Sequence, residues 1–509
     1  MHASSLDCRA AEDRWTTGFM SDPSSLKRAL GAVDEFRREL STMRPNELDA
    51  VKLEQRVRER VDAIGLALMQ EVFERADASE PELLINSELW GNHQRVHATY
   101  QTMFGTFEMM RGTYQRSGRG KVAVPMELRL SIAEGRYTPQ LARVMTRAVG
   151  LMTSEEAEGF LEEVGTAKVS VSTLHRVPRA IAARFEERRM EIEPAVRDND
   201  PVPAEAVTVQ VSLDGVMVPQ DGEHAKPRGR KTKSPDPPRH EQRYKSKPVS
   251  TPASSDGGSG REWHEAGVAT LAYYDEEGER LKTTYLGQMP EPLKATLARG
   301  MRDELIAAIR ERPDLDVVFA SDGAPHHWTL LAALEGELKR LRHRGRVLFL
   351  VDFFHVAEYL QAGAEAIAGE GTPEARLIAR GWGDTLRLFD DGAFRVLKSM
   401  RYYRRKLEYG PRMKLDKALD YLATQNNANR ARFAEAEKRN YPIGTGVTEA
   451  AAKTLVSVRM KRAGARYSQH GGQTILLFRS AVLSGRFHLL ARRLEATYAA
   501  NVVIPRKVA

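Results

Sequence analysis

The sequence predicts an α/β protein with a core of mixed β-sheet flanked by helices, and an N-terminal region that is mostly α-helical. Three observations support this class. The run VTVQVSLDGVMV (207–218) alternates apolar and polar residues, as a half-buried strand does. A hairpin pattern and then alternating helical and extended patterns follow it. Three apolar runs are each closed by an aspartate, at Asp214, Asp322 and Asp352.

The order of the predicted elements narrows the fold class further. After the first strand come two strands of a hairpin (EAGVATLAYYD and RLKTTYLGQ), a helix (291–310), a strand (316–320), a helix (326–342), the strand VLFLV, and a helix from about 355. Antiparallel strands followed by βα units produce a mixed sheet covered by helices. This order, with an aspartate on the first strand and another after the fourth, predicts a ribonuclease H-like arrangement.

Composition and periodicity divide the chain into five regions. We predict an N-terminal helical region (1–84), a DNA-binding region (85–200), the catalytic core (201–371), a helical insertion (372–440) and a C-terminal part of the core (441–509). Residues 220–262 contain no Leu, Ile, Phe, Met or Trp, which predicts a flexible insertion in the core. Its basic run PRGRKTK is either a solvated loop or a phosphate contact.

The DNA-binding region contains a hairpin pattern around Gly105 (TYQTMFGTFEMMRGTYQ) and then a pair of helices. Thr153 and Glu156 form a capping box that opens the first helix of the pair. The second helix carries Arg176 and Arg179, so the pair is a candidate helix-turn-helix DNA reader. Two packed helices occur in many other α domains, and Pro178 would kink a long recognition helix.

The overall charge favours a polyanionic partner. The formal net charge is +8 and the sequence pI about 9.3. The single Cys8 excludes internal disulfides and cysteine-based metal sites. No apolar run approaches the roughly 18 residues of a membrane span, and the first residues lack the apolar core of a signal peptide. We therefore expect a cytoplasmic, nucleoid-associated protein, whose start is either Met1 or Met20.

The ribonuclease H-like arrangement requires a third acidic residue, on a helix packed against the sheet, in addition to the strand aspartates. Glu449 is the candidate for this residue. It lies in the first turn of a predicted helix that is entered through Gly444 and Gly446, two glycines that would let the backbone approach another surface closely. The helix dipole favours a negative charge there, although an ordinary helix-start glutamate has the same pattern. Phosphodiester cleavage with two metal ions uses such a set of carboxylates, and carboxylates suit Mg²⁺ or Mn²⁺.

Five motifs in this order resemble the insertion-sequence transposases of the ISKra type, which are Mutator-like DDE transposases. They are SLDGVMVP, ASDGAPHHW, VDFFHVAEYL, YPIGTGVTEA and VRMKRAGARYSQHGGQTILLFRS. The resemblance covers about residues 85 to 490. It implies a ribonuclease H-like core with a helical insertion before the last acidic residue, and the metal-binding catalytic residues Asp214, Asp322 and Glu449.

The same resemblance assigns supporting roles to other residues. Asp352 and His355 match the family's Asp/Cys-x-x-His motif, which implies support for the active site; a backbone hydrogen bond is the alternative for His355. His326 and His327, beside Asp322, are candidates for phosphate contacts but are more readily explained as solvent-exposed residues at a helix start. The other nearby acidic residues are predicted to be surface carboxylates: Glu335, Glu337 and Glu358.

Basic residues after Glu449 are candidates for phosphate contacts. They are Arg459, Lys461, Arg462 and Arg466, for which a charged helix face without a ligand is the alternative. Tyr402 and Tyr403 are candidates for base stacking, whereas Trp382 is predicted to pack in the core. Relatives of this type often carry a cysteine zinc ribbon. The corresponding stretch YQRSGRGKVAVP contains no cysteine, so no structural zinc is predicted.

The resemblance implies a DDE transposase that binds terminal inverted repeats, cleaves DNA at the element ends and joins the 3′-hydroxyls to target DNA. Two Mg²⁺ ions, or Mn²⁺ in their place, are the implied cofactors, and a homodimer or larger assembly on DNA is implied because two ends must be brought together. Two alternatives remain open. One is a transposase-derived DNA-binding protein that no longer cleaves, and the other is a nuclease of the same fold without strand transfer.

Overall fold

A computed structural model describes residues 24–44, 48–116, 120–165, 168–221, 261–462 and 465–505. Backbone contacts divide the chain into two compact units. Unit 1 comprises the described residues up to Met145, Ser154–Val177 and those from Leu494 onward. Unit 2 comprises Thr146–Thr153 and Pro178–Arg493. The predicted core boundary at residue 509 therefore differs from the end of unit 2 at Arg493.

Some sequence predictions fall on residues outside the described ranges. These are Cys8, the alternative start Met20, and the part of the predicted flexible insertion from 222 to 260, which includes PRGRKTK. The outermost residues of that insertion, 220–221 and 261–262, are described. The prediction that they belong to a flexible segment was wrong, because they lie in strands. Asp221 pairs with Arg261 at the ends of two antiparallel strands, because the strands continue further than their apolar patterns indicate.

Unit 1 contains a five-stranded antiparallel sheet. The strands β1 (Glu82–Ile85), β2 (Glu88–Thr102), β3 (Gly105–Gln115), β4 (Val122–Ala123) and β10 (Val502–Val503) lie in the order β10-β1-β2-β3-β4. The predicted hairpin is confirmed: Thr102 pairs with Gly105, whose φ of 133° is accessible to glycine. The full sheet was not predicted, because two of its strands are only two residues long and the last lies near the C-terminus.

Helices surround this sheet and lead into unit 2. They are α1 (Ser24–Thr42), α2 (Ala50–Ala76), α3 (Pro125–Arg129), α4 (Pro139–Leu151), α5 (Ser154–Glu163) and α6 (Val171–Glu187). The predicted helix pair is α5 and α6, and α6 continues through Pro178 to Glu187. Phe73 of α2 packs on Tyr100 and Phe107 of the hairpin, with ring centroids 4.9 and 5.0 Å away.

Unit 2 contains the predicted mixed sheet. Its strands are β5 (Thr208–Asp221), β6 (Arg261–Tyr274), β7 (Arg280–Gln288), β8 (Asp316–Ser321) and β9 (Val347–Val351). Their order is β7-β6-β5-β8-β9. Strand β6 pairs antiparallel with both β5 and β7, whereas β5, β8 and β9 run parallel. The mixed α/β class predicted from the sequence is therefore confirmed.

Two expectations for β5 were wrong. Asp214 lies within the strand and not at its end, because β5 continues to Asp221 in pairing with β6. The strand is also buried on both faces, since Gln210 and Ser212 on its polar face are fully covered. The Gln210 amide donates to the carbonyl of Gly444 at 2.9 Å, so a distant segment covers that face.

The helices of unit 2 cover this sheet and form the predicted insertion. They are α7 (Arg189–Arg197), α8 (Ala295–Glu311), α9 (Pro325–Arg340), α10 (Phe353–Ala368), α11 (Pro373–Leu388), α12 (Gly392–Arg404), α13 (Tyr409–Asn427), α14 (Phe433–Glu437), α15 (Gly446–Ala451), α16 (Val458–Met460), α17 (Gln469–Leu483) and α18 (Phe487–Ala496), which ends in unit 1. A 3₁₀ turn (Pro292–Lys294) precedes α8, and a π-helical segment (Ala452–Ser457) follows α15.

Helices α11 to α14 make residues 372–440 helical, as predicted. Trp382 of α11 is buried, and its indole N–H donates to Ser399 Oγ at 3.0 Å, which confirms its predicted place in the core. Among the described residues, no helix is both long enough and apolar enough to cross a membrane.

Candidate active site

The pairing of the parallel strands brings three aspartates side by side. Ser212 of β5 is opposite Ala320 of β8, and Ser321 of β8 is opposite Val351 of β9. Continuing these registers brings Asp214 next to Asp322 and Asp322 next to Asp352. The carboxyl ends of parallel strands commonly form the binding edge of an α/β sheet. Aspartates from three separate chain segments therefore meet at one place.

Asp214 lies at one end of this row, next to Asp322, and is half-buried. Its Oδ1 accepts a hydrogen bond from the backbone N–H of Gly215 at 2.7 Å. Burial raises the pKa of the Asp214 carboxyl, and the negative charge of Asp322 raises it further, while the Gly215 N–H lowers it. The carboxylates of Asp214 and Asp322 are thus close enough for each to disfavour ionisation of the other.

Asp322 follows β8 directly and is held by several hydrogen-bond donors. Ser321 Oγ and the backbone N–H of Ala324 each donate to its Oδ1 at 3.1 Å, and His327 Nδ1 lies 3.5 Å from the same oxygen. The hydrogen bond from His327 is the largest cause that holds the pKa of Asp322 well below its usual range. Its side chain remains 48% exposed, so the carboxylate is both ionised and accessible.

Glu449 lies in the first turn of α15, as predicted. Burial is the first cause that raises the pKa of its carboxyl, followed by the negative charge of Asp352; the charge of Asp214 contributes in the same direction. Thr445 Oγ lies 3.4 Å from Glu449 Oε1, and this polar contact acts in the opposite direction on the pKa. The Glu449 carboxylate therefore shares the electrostatic environment of Asp352 and Asp214.

Contacts with the sheet hold α15 in this position. The hydroxyls of Thr448 and Thr270 of β6 are 2.6 Å apart in a buried hydrogen bond. Beyond Glu449, Leu455 of the π-helical segment packs with Val216 and Val268 in a separate buried apolar cluster. The face of β5 that carries Asp214 is therefore the face on which the Glu449 helix packs.

The absence of a side chain at Gly444 allows a close approach before α15. A Cβ atom there would lie 2.8 Å from the ring of Phe354, which the neighbouring helix α10 presents. The predicted close approach is therefore confirmed at Gly444. At Gly446 the prediction was wrong, because no atom lies within 4 Å of the place that a Cβ would occupy.

Asp352 is a buried anchor for two backbone segments. It is 1% exposed, and its Oδ1 accepts from the backbone N–H groups of Phe354 at 2.6 Å and His355 at 3.1 Å, which caps α10. Its Oδ2 accepts from the backbone N–H of Thr445 at 2.7 Å and from the Thr445 hydroxyl. Asp352 thereby connects the start of α10 to the segment that begins the Glu449 helix.

His355 lies in an aromatic group beside the aspartate row. Its Nδ1 is 3.4 Å from Glu358 Oε2, and its ring packs edge-on against Tyr359 and Tyr421 with centroids 5.6 and 5.9 Å away. Tyr359 and Tyr421 are stacked at 4.0 Å. The Tyr421 hydroxyl, from helix α13 of the insertion, donates to the backbone carbonyl of Asp322 at 2.9 Å. Sequence reasoning missed Tyr421, because no local pattern relates it to Asp322.

The prediction that His327 is a solvent-exposed helix-start residue was wrong. His327 is 2% exposed, because its ring is enclosed between Ser321, Asp322 and Lys294. His326 is exposed, as predicted. The available signal for His327 was its position five residues after a candidate catalytic aspartate, in the first turn of the following helix.

The predicted DNA-contacting residues after Glu449 differ in burial and in their partners. Arg459 is only 6% exposed, and its guanidinium donates to the hydroxyl of Tyr467 at 3.3 Å, so burial contradicts its predicted role at phosphates. Arg466 pairs with Asp221 at 3.1 Å. Lys461 and Arg462 are exposed and remain candidates.

Arg176 and Arg179, the two candidate DNA-contacting arginines of α6, are both exposed. The guanidinium group of each contacts another part of the protein. Arg176 donates to the Tyr137 hydroxyl at 2.6 Å and lies over the Tyr137 ring. The Arg179 guanidinium lies against Gly471 at the start of α17. A base-reading role would require Arg176 to leave its tyrosine partner.

No family model matches this chain, and no curated protein is significantly similar to it. The arrangement of residues is therefore the basis for assigning a function. Asp214, Asp322 and Glu449 offer oxygen ligands that suit a hard divalent cation. The buried Asp352 is fully engaged with backbone and hydroxyl donors and instead positions the others.

Proposed function

We propose that the chain is a DDE transposase and that unit 2 is a ribonuclease H-like catalytic core. The observation that carries the proposal is the convergence of Asp214, Asp322 and Glu449 from β5, the end of β8 and the first turn of α15. The sheet order β7-β6-β5-β8-β9, with the helical segment 372–440 inserted before Glu449, supports it. The function is DNA cleavage at element ends and joining of the 3′-hydroxyls to target DNA.

The carboxylate side chains at this site are of the type that binds Mg²⁺, and a pair of Mg²⁺ ions, with Mn²⁺ as a substitute, belongs to the proposal. The raised pKa values of Asp214 and Glu449 arise partly from nearby carboxylates, and bound cations would relieve that repulsion. Asp214, Asp322 and Glu449 would hold the ions. When bound, two such ions activate the attacking water or 3′-hydroxyl and stabilise the leaving oxygen.

Other residues of the site would keep the carboxylates in place. Asp352 fixes Thr445, whose hydroxyl also meets Glu449, so the position of the third carboxylate depends on a buried anchor. Tyr421 holds the backbone at Asp322. These contacts pre-organise the carboxylates, and pre-organisation is what positioned catalytic groups require. The role of His355 in this scheme is to support the aromatic group that contains Tyr421.

Binding to DNA follows from the same proposal. The net charge of +8 favours association with phosphates, and Lys461 and Arg462 are exposed shortly after the Glu449 helix. We assign recognition of terminal inverted repeats to the α5–α6 pair, and contact with phosphates to Lys461 and Arg462. Joining two element ends requires at least two copies of the site, so a homodimer or larger assembly on DNA belongs to the proposal.

The test uses the inverted repeats that flank the gene as duplex substrates. We expect Asp214→Asn to abolish cleavage and to leave the affinity for the repeats unchanged, because the exchange removes a ligand charge and keeps the side-chain shape. Asp384→Asn, an exposed aspartate of α11, is the matched control and should cleave as the wild type does. Cleavage by Asp214→Asn at the wild-type rate would contradict the assignment.

A second assay separates the proposal from its alternatives. A duplex with a pre-cut 3′-end is incubated with target DNA and Mg²⁺, so that joining is measured independently of cleavage. A transposase joins the ends, a nuclease of the same fold cleaves without joining, and a silent DNA-binding protein does neither.

A further inference from the structure

Glu265, His326 and His327 form a second group of metal-ligating side chains in unit 2. Glu265 belongs to β6, and the two histidines lie in the first turn of α9. One ligand atom from each residue lies within 4.8 Å of the others. The group adjoins the candidate carboxylates, since His327 Nδ1 lies 3.5 Å from Asp322, but it contains none of them. Glu265 covers Gly215, on the sheet face opposite to the one that carries Asp214.

The surroundings of His327 determine which of its nitrogens can bind a cation. Nδ1 lies 3.1 Å from Ser321 Oγ and 3.5 Å from the Asp322 carboxylate, so this nitrogen carries the hydrogen. Nε2 is then the nitrogen with the free electron pair, and it lies 3.5 Å from Lys294 Nζ, which can only donate. Metal-binding histidines commonly have this arrangement, with the second nitrogen bound to a carboxylate.

The positively charged Lys294 ammonium already lies between Glu265 and His327. This ammonium pairs with Glu265 and contacts His327 Nε2, and the Lys294 side chain is only 14% exposed. Lys294 and the preceding Leu293 have φ values of 50° and 56°, which are unfavourable for residues with a side chain. Such backbone strain persists where neighbouring contacts enforce it. The strained turn directs the Lys294 ammonium between Glu265 and His327.

We propose that Glu265, His326 and His327 bind a first-row transition-metal ion such as Zn²⁺, Co²⁺ or Ni²⁺, in competition with the Lys294 ammonium. Two imidazole nitrogens and one carboxylate oxygen are donors that these ions accept readily, whereas Mg²⁺ prefers oxygen ligands alone. Binding displaces Lys294 from Glu265, and His327 uses Nε2 while Nδ1 stays on Ser321 and Asp322. The proposal depends on this group alone and is independent of transposase activity.

The experiment is a Co²⁺ titration of the untagged full-length protein, followed by visible absorption in excess Mg²⁺, which competes with Co²⁺ at ligand sets made of oxygen atoms alone. We expect one Co²⁺ per chain in the wild type. Lys294→Met should bind Co²⁺ roughly fivefold more tightly, which is the scale of one partly exposed ion pair. Lys282→Met is the matched control, because Lys282 pairs with Asp200 at 2.8 Å and should leave Co²⁺ affinity unchanged.

Loss of the Co²⁺ absorption in His326→Ala supports the ligand assignment, and this exposed position tolerates the change. Equal Co²⁺ affinity of Lys294→Met and the wild type would overturn the competition. Unchanged absorption in His326→Ala would overturn the site. Because the readout is absorption, failure here leaves the cleavage test unaffected, and a protein without cleavage activity can still bind Co²⁺ at this site.

Discussion

Replacing Asp352 with alanine tests whether this residue anchors the Glu449 helix. The exchange removes the cap of α10, which costs about 1 kcal/mol at a typical helix start. It also leaves the buried backbone N–H of Thr445 without its carboxylate partner, which costs a further 1–3 kcal/mol or so. We therefore expect the free energy of unfolding to fall by about 2–4 kcal/mol, a large part of the roughly 5–15 kcal/mol that stabilises a domain.

Thr372→Ala is the matched control, since Thr372 caps helix α11 of the same unit through a hydrogen bond from Ala375 N at 3.1 Å. This exchange removes a helix cap that holds no second backbone segment, so we expect the free energy of unfolding to fall by about 1 kcal/mol. Asp352→Asn should fall between the two variants, because asparagine caps a helix well but lacks the second acceptor for Thr445.

The measurement is urea unfolding followed by tryptophan fluorescence, to which the buried Trp328 and Trp382 of unit 2 contribute. Equal losses for Asp352→Ala and Thr372→Ala would refute the reasoning, because the Thr445 contact would then contribute nothing. If the transposase proposal holds, cleavage should also decrease in Asp352→Ala, while cleavage by Thr372→Ala stays at the wild-type level.

Two further predictions concern Tyr421 and the exposed basic residues. Tyr421→Phe removes the hydroxyl that donates to the Asp322 carbonyl, so the free energy of unfolding should fall by about 1 kcal/mol and cleavage should slow without a change in DNA affinity. The control Tyr402→Phe, at an exposed tyrosine, should change neither stability nor cleavage. Equal effects in both variants would contradict the role of Tyr421 in holding Asp322. Lys461→Ala and Arg462→Ala should each weaken DNA binding regardless of the DNA sequence, and each should reduce the slope of log Kd against log salt concentration by about 1. The slope is measured by fluorescence-anisotropy titration at several salt concentrations. Unchanged slopes would exclude both residues from the DNA contact.

The strands and helices of unit 2 were predictable because their signals are local. Alternation in VTVQVSLDG, the hairpin pattern and the helical periodicity of the insertion each arise within one short window of sequence. Strand ends and helix starts also marked Asp214, Asp322 and Glu449 as candidates, although β5 extends past Asp214. Pairing with β6 carries β5 on to Asp221, three residues beyond the apolar run that ends at Val218.

The buried contacts of the site were decided by segments far apart in the chain. Asp352 and Thr445 are 93 residues apart, and Tyr421 and Asp322 are 99 apart. Arg459 appeared to be a free basic residue in the sequence and is buried in the fold. His327 became an internal residue because Lys294, Ser321 and Asp322 enclose it.

The sequence by itself determined the α/β class, the order of the elements and the acidic residues that are candidates for chemistry, because apolar periodicity and turn residues act over short distances. Only the tertiary structure decided which of those residues share one environment. It separated the accessible Asp322 from the buried anchor Asp352, although both follow apolar strands in the sequence. The physical reason is that burial and hydrogen-bond partners depend on what packs against a strand end, and those partners come from distant segments.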